Sequence, residues 1–453
     1  MNGAQANSNQ TKNRVSWQIC IPLLQIKKKG RDFLIGLDER KESGDEMAMK
    51  PITVVDARMG RGKSSAAIRY MNANKGTKRF LYITPYLNEV DRICERCDFD
   101  QSESDYQSKS AELKVHIKDG RNIAATHSLF YLMDKEAVEL VRDNHYSLII
   151  DESIRVIERL NVTEKDFELI VTQLADEEEG GILQWKDGSY TGRFYDYKEM
   201  ADVGALHRID SALLNIMNPL MLKAFDEVFM LTYLFDGQYQ KAYLEYFGLP
   251  YRVVGVEKDD CGYYFSDAPD SPPAIDYRSL IHIVDSDEMN RTGNGKYALS
   301  KNWFARRGYN HADIRALRNN MKKFFQGVPG GSSSTRMWTS FKDDMVKLTD
   351  VKTGRFRNNF LQVSARATNE FRNRTDIAYM VNRFADPNLI KFFSAKGIGI
   401  DTDAFALTEM LQWIWRSAIR DDEPINLYIP SRRMRELLIN WMDTTSQGGT
   451  MIE

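Results

Sequence analysis

Eight residues, Ala57-Arg-Met-Gly-Arg-Gly-Lys-Ser64, constrain this chain more than any other part of it. They follow a short β-branched run, Ile52-Thr-Val-Val55, and open a helical pattern, Ser64–Tyr70. A strand that turns through glycines into a helix beginning Lys-Ser is the context a phosphate-binding P-loop requires. Gly60 and Gly62 let backbone N–H groups turn inward toward phosphate oxygens, and the helix N-terminus adds partial positive charge. Lys63 would reach the β- and γ-phosphates of ATP, and the Ser64 hydroxyl would ligate Mg²⁺. Ala57, Arg58, Met59, Gly60, Arg61, Gly62, Lys63 and Ser64 are therefore the candidate nucleotide contacts. The bland alternative is a glycine-containing turn with a chance Lys-Ser.

A second motif has the spacing of a partner. Leu148-Ile-Ile-Asp-Glu-Ser153 reads as a buried strand that ends in two acids. Open α/β sheets bind ligands at the carboxyl edges of their strands, which is where Asp151 and Glu152 would lie. Asp151 would hold Mg²⁺ through water, and Glu152 would position and deprotonate the attacking water. An apolar run before Asp-Glu is common by itself; after a P-loop it points to an ATP or GTP hydrolysing core. In Gln412-Trp-Ile-Trp-Arg-Ser-Ala-Ile-Arg420, residues Gln412, Arg416 and Arg420 fall four apart, on one helical face. Two arginines on one stripe can neutralise charge on a transferring phosphoryl group, or can simply be solvated while the tryptophans pack inward.

The rest of the chain alternates strand and helix. Phe80–Thr84, Leu148–Ile150 and Val228–Thr232 are short apolar runs of the buried parallel-strand type. A second series starts near Leu280–Val284 and continues through a helix at Asp313–Phe325. Strands are expected at Met337–Phe341, Phe360–Val363 and Ile425–Tyr428, with a helix at Leu407–Ala418. The expected division is an N-terminal extension (1–50), a first α/β domain (51–245) with a mostly helical insertion at about 154–225, and a second α/β domain (246–453) carrying the arginine helix at 407–420.

With 453 residues, 42% hydrophobic and 28% charged, the chain suits two or three packed domains and not global disorder. No apolar run approaches the ~18 residues of a membrane span, the polar start does not read as a signal peptide, and four cysteines fit a reducing cytoplasmic setting. The net charge of −2 excludes a uniformly basic nucleic-acid binder. Between Lys301 and Arg374, however, 16 Lys/Arg stand against 5 Asp/Glu, a local excess of +11. Trp303, Phe304, Tyr309, Phe324, Phe325 and Trp338 lie among these cations as candidate base-stacking residues. The other reading of this segment is a solvated basic face.

The order of these motifs resembles the superfamily 2 helicases, the DEAD/DEAH-like group, from about residue 51 to 435. Ala57–Ser64 looks like that group's motif I and Asp151-Glu152 matches motif II. Phe80–Arg92 resembles motif Ia, Ala125-Thr-His127 a following nucleic-acid-contacting motif, and Leu231-Thr-Tyr-Leu234 motif III with Tyr233 in place of alanine. Met337–Lys342 resembles motif IV, Ser364-Ala-Arg-Ala-Thr-Asn369 motif V, and Gln412–Arg420 motif VI, although the family spaces its arginines three apart. The Met-Gly-x-Gly-Lys form and the Asp-Glu-Ser-Ile continuation also resemble phage helicases and herpesvirus-type origin-binding proteins. The resemblance implies two tandem RecA-like parallel-sheet domains with ATP and Mg²⁺ between them and an arginine finger on that helix, Arg420 in preference to Arg416 because it closes the motif. It implies single-stranded or forked nucleic acid, DNA in preference to RNA, along Thr84, Arg92, Thr126, His127, Lys342, Arg366 and Asn369, and replication proteins as partners in a phage or viral setting. An origin-recognition or remodelling ATPase with little unwinding is the alternative, and a packaging-type motor is disfavoured because no carboxylate cluster of a nuclease follows.

Overall fold

The computed structural model describes residues 49–102, 106–270, 275–350, 353–363 and 370–446. Two separate parallel sheets organise them. The first has seven strands in the order β12-β11-β1-β10-β4-β2-β3. Its strands are β1 (Ile52–Asp56), β2 (Arg79–Thr84), β3 (Ile123–Thr126), β4 (Tyr146–Asp151), β10 (Glu227–Thr232), β11 (Tyr251–Asp259) and β12 (Gly262–Ser266). All neighbours run parallel except β12, which closes the edge antiparallel to β11. The second sheet has the order β13-β16-β15-β14, all parallel, from β13 (Ile281–Ile283), β14 (Arg336–Thr339), β15 (Asp376–Tyr379) and β16 (Ile425–Tyr428). Each sheet is covered on both faces, which is why its strands read as continuous apolar runs and not as alternating ones. The expected α/β class with parallel sheets is what the chain forms.

Six helices matter below and are numbered among themselves: α1 (Lys63–Asn74), α2 (Leu87–Cys97), α3 (Ala312–Gly327), α4 (Pro387–Ser394), α5 (Thr402–Ile414) and α6 (Arg432–Ser446). None of the described helices is long and apolar enough to cross a membrane.

Four sequence expectations change. The first sheet does not stop at residue 245: Tyr251–Val254 pairs with Ile52–Val55 and covers the open edge of β1, so the first unit runs on to Ser266. The insertion holds helices at Glu164–Leu169 and Tyr195–Asp202, yet also two small antiparallel sheets, β5 (Ile157–Arg159) with β9 (Ala212–Ile216) and β8 (Leu206–Ile209), and β6 (Ala175–Glu177) with β7 (Leu183–Trp185). These sheets bury Phe167, Leu183, Leu206 and Leu213 in a core of their own. Phe360–Val363 is not a strand; only Phe360 bridges, to Trp338. The missing central strand is β15, whose four residues are all buried between β14 and β16. Its register is set by the sheet around it, and at four residues it is too short to announce itself by periodicity.

Candidate active site

β1 and β4 lie in one sheet with β10 between them, so their carboxyl ends open side by side. Beyond β1 the chain turns through Gly60 (φ 79°) and Gly62 (φ 87°) into α1. Both glycines are in the left-handed region, where any other L-residue is strained. At Gly62 a Cβ would also meet the ring of Tyr263, 2.4 Å from its Cγ, so β12 closes one side of the loop. The Lys63 ammonium bonds the backbone oxygens of Ala57 and Arg58, the latter at 3.1 Å. Burial holds its pKa below the ordinary lysine value, against the pull of Glu152, Asp151 and Asp56.

The Ser64 hydroxyl donates to Asp151 at 3.2 Å, and the buried Tyr82 hydroxyl donates to the same carboxylate oxygen at 2.6 Å. Burial first, and the neighbouring Glu152 second, raise the Asp151 carboxyl to about 7. A crowded carboxylate beside a hydroxyl is a set of hard oxygen donors that suits Mg²⁺ completed by phosphate oxygens. A cation there would also relieve the unfavourable charge. The residues present therefore fit the ion. Glu152 is exposed, with φ 66°, and its N–H is held by the Leu231 carbonyl at 3.1 Å. That left-handed backbone ends the strand at this residue.

Sequence reasoning missed Asp56, the last residue of β1. One of its oxygens accepts the Phe235 N–H at 3.0 Å, and the other is buried with no hydrogen-bond partner among the described residues. Burial raises its pKa, against the Phe235 N–H bond and the Lys63 charge, which pull it down. Its place one residue before the P-loop was the available signal.

The arginine helix differs from expectation. α5 ends at Ile414, Arg416 lies in the turn that follows, and Arg420 sits in a 3₁₀ turn, Ala418–Asp421. Gln412, Arg416 and Arg420 therefore do not share one helical face. The Ser417 hydroxyl turns back onto the Ile414 carbonyl at 2.6 Å, which closes the helix early. The result separates the two arginines. Arg416 is half-buried and its Nη1 reaches the hydroxyl of Tyr86, the residue just before α2 of the first sheet's unit, at 3.2 Å; its Nε is buried without a hydrogen-bond partner among the described residues. Arg420 is exposed. Gln412 is half-buried on α5.

The expected nucleic-acid contacts scatter. Thr84 is fully buried at the end of β2, and Thr126 caps a short helix by accepting the Leu129 N–H at 3.3 Å. His127 is buried against the Asp151 backbone carbonyl at 3.0 Å, behind the acid pair. Arg92 is engaged by Glu89 of its own helix at 2.8 Å. Lys342 is exposed after β14. Arg366 and Asn369 lie outside the described residues. Of the six candidate stacking aromatics in the basic segment, Phe304, Phe324, Phe325 and Trp338 are core residues between α3 and the second sheet. Trp303 and Tyr309 instead carry Arg307 and Arg318 on their faces, 4.1 and 4.0 Å from the ring centroids. Four of the six thus serve packing.

A family model and a curated relative match this chain. The YonV C-terminal Rossmann-like domain family matches residues 275–442, which span the whole second sheet and Arg416. Among solved structures, an XPD apo structure superposes over 90% of this chain and 98% of its own at 11% identity with a TM-score of 0.47. S. tokodaii Xpd4 does so over 91% and 97% at 12% identity with a TM-score of 0.41. The SPbeta prophage-derived protein YonV of Bacillus subtilis (strain 168) is 34% identical over 414 residues, 87% of this chain and 99% of that one. Identity of this order along nearly the full length of both chains leaves one conclusion: the chain belongs to the YonV family.

Proposed function

We propose that the chain is a nucleic-acid-dependent ATPase of helicase type, which couples ATP hydrolysis to movement on, or unwinding of, DNA in a phage or viral replication setting. One observation carries the reading. Ser64 and Asp151 are joined at 3.2 Å beside Lys63, and Arg416, from the second sheet's unit, reaches Tyr86 of the first. Backbone N–H groups of residues 60–64 and the Lys63 ammonium would hold the phosphates. Ser64 and Asp151 would hold Mg²⁺, which when bound neutralises phosphate charge. Glu152 would orient the attacking water, and Arg416 would meet the charge that develops on the transferred phosphoryl group.

The two units also touch through the segment after β10. The chain at Gly237 packs so closely on α5 that a Cβ there would lie 2.5 Å from the Ala404 carbonyl. α4 anchors the other end: Phe392 stacks on Tyr246 at 4.4 Å, and the Tyr239 hydroxyl accepts the Asp386 N–H at 2.9 Å. Both contacts give nucleotide-dependent closure a path to the rest of the molecule.

The test is ATP turnover by the parent and by Lys63→Ala, with and without DNA and RNA oligonucleotides at two salt concentrations. The parent should hydrolyse ATP faster with single strands, less so at high salt, and Lys63→Ala should not turn over. Hydrolysis by Lys63→Ala at the parent's rate refutes the ATPase. A rate indifferent to every strand refutes only the coupling to nucleic acid. A forked-duplex assay separates unwinding from ATP-dependent binding.

A further inference from the structure

We infer that Tyr277 is a positioning residue that transmits the state of the phosphate loop to Arg416; this rests on the ATPase reading above. Arg58, in the P-loop, is buried, and its Nη1 donates to the Tyr277 hydroxyl at 3.1 Å. Its guanidinium also lies 5.8 Å from the Tyr277 ring centroid. The carbonyl of the same Arg58 accepts from the Lys63 ammonium at 3.1 Å, so whatever draws Lys63 away acts on this residue.

Tyr277 is only 4% exposed and begins the helical turn Tyr277–Leu280 that leads into β13 of the second sheet. Its ring meets Trp415 edge-on at 5.5 Å and lies tilted on Trp441 of α6 at 4.8 Å. Trp415 and Trp441 are themselves perpendicular at 5.5 Å, which closes a triangle of three rings. Trp415 is the covalent neighbour of Arg416. A second contact ties the triangle to the first sheet: the Trp441 indole N–H donates to the Tyr233 hydroxyl at 3.1 Å, just after β10. Closely packed rings transmit displacement instead of absorbing it. A shift of Arg58 as Lys63 turns toward a phosphate therefore moves the Tyr277 ring, and through Trp415 the backbone that carries Arg416.

The test uses the full chain and Tyr277→Phe, which keeps every ring contact and removes only the hydroxyl that Arg58 bonds. Turnover is measured at saturating single strand and, for slow variants, in single turnovers with enzyme in excess. A hydrogen bond from a charged donor is worth about tenfold or more, so kcat should fall about tenfold. KM for ATP should stay within about twofold, because Tyr277 touches no phosphate. In an Arg416→Ala background the same substitution should have no further effect. An unchanged kcat, a rise in KM in place of the kcat loss, or an equal loss in both backgrounds overturns the relay. Lys63→Ala in parallel tells the two failures apart: if it hydrolyses like the parent, the ATPase reading falls and the relay with it.

Discussion

Asp151→Asn should stabilise the ligand-free protein at pH 8 while removing its hydrolytic activity. The carboxyl is buried, its charge is disfavoured by burial and by Glu152, and its folded-state pKa is raised from 3.8 to about 7. For an acid raised in this way, the folded form is favoured while protonated, below the unfolded value. That advantage is lost as pH climbs through the folded value. A displacement of about three pKa units corresponds to roughly 4 kcal/mol lost between pH 4 and pH 8. Relaxation and water entry make this an upper bound. Asparagine keeps an acceptor for the 2.6 Å bond from Tyr82 and carries no charge. The variant should therefore gain on the parent as pH rises, by about 2–3 kcal/mol between pH 5 and pH 8. Urea unfolding of both proteins at the two pH values, without Mg²⁺ or nucleotide, measures this. Adding Mg²⁺ and ATP analogue should shrink the difference, because a cation at Ser64 and Asp151 stabilises only the parent. A pH-independent difference, or a variant less stable than the parent at pH 8, would refute the argument from burial.

Three further outcomes follow from the same geometry. Arg416→Ala should lower kcat on the order of 10³-fold with little change in nucleotide affinity, whereas exposed Arg420→Ala should cost less than about tenfold; steady-state ATPase decides, and equal losses would return the finger to either residue. Glu152→Gln should retain ATP-analogue binding, read by equilibrium titration, and lose the chemical step in single turnovers. Gly62→Ala should destabilise by about 2–4 kcal/mol, one part from the left-handed backbone and one from the Tyr263 ring. Trimming that ring with Tyr263→Ala should remove only the second part in a double-mutant cycle of unfolding free energies.

The sequence by itself determined the local geometry that depends on neighbours along the chain. A P-loop is a local object: two glycines, a lysine and a hydroxyl at fixed offsets on a strand–turn–helix, and Lys63 and Ser64 stand where the offsets put them. The acid pair was legible because a buried run that ends in two acids has few places to go in an open sheet. The tertiary structure decided everything that depends on which surfaces meet. Phe304, Phe324, Phe325 and Trp338 looked like base-stacking rings among cations and became core, because periodicity does not say which face α3 buries. Thr84 and His127 carried motif positions yet lie under the surface, since a strand's end is exposed or covered according to the loops around it. Which of Arg416 and Arg420 reaches the first sheet's unit turned on where α5 stops. A four-residue spacing puts both on one stripe only if the helix continues, and the Ser417 turn ends it, so that one arginine faces the P-loop's unit and the other faces water.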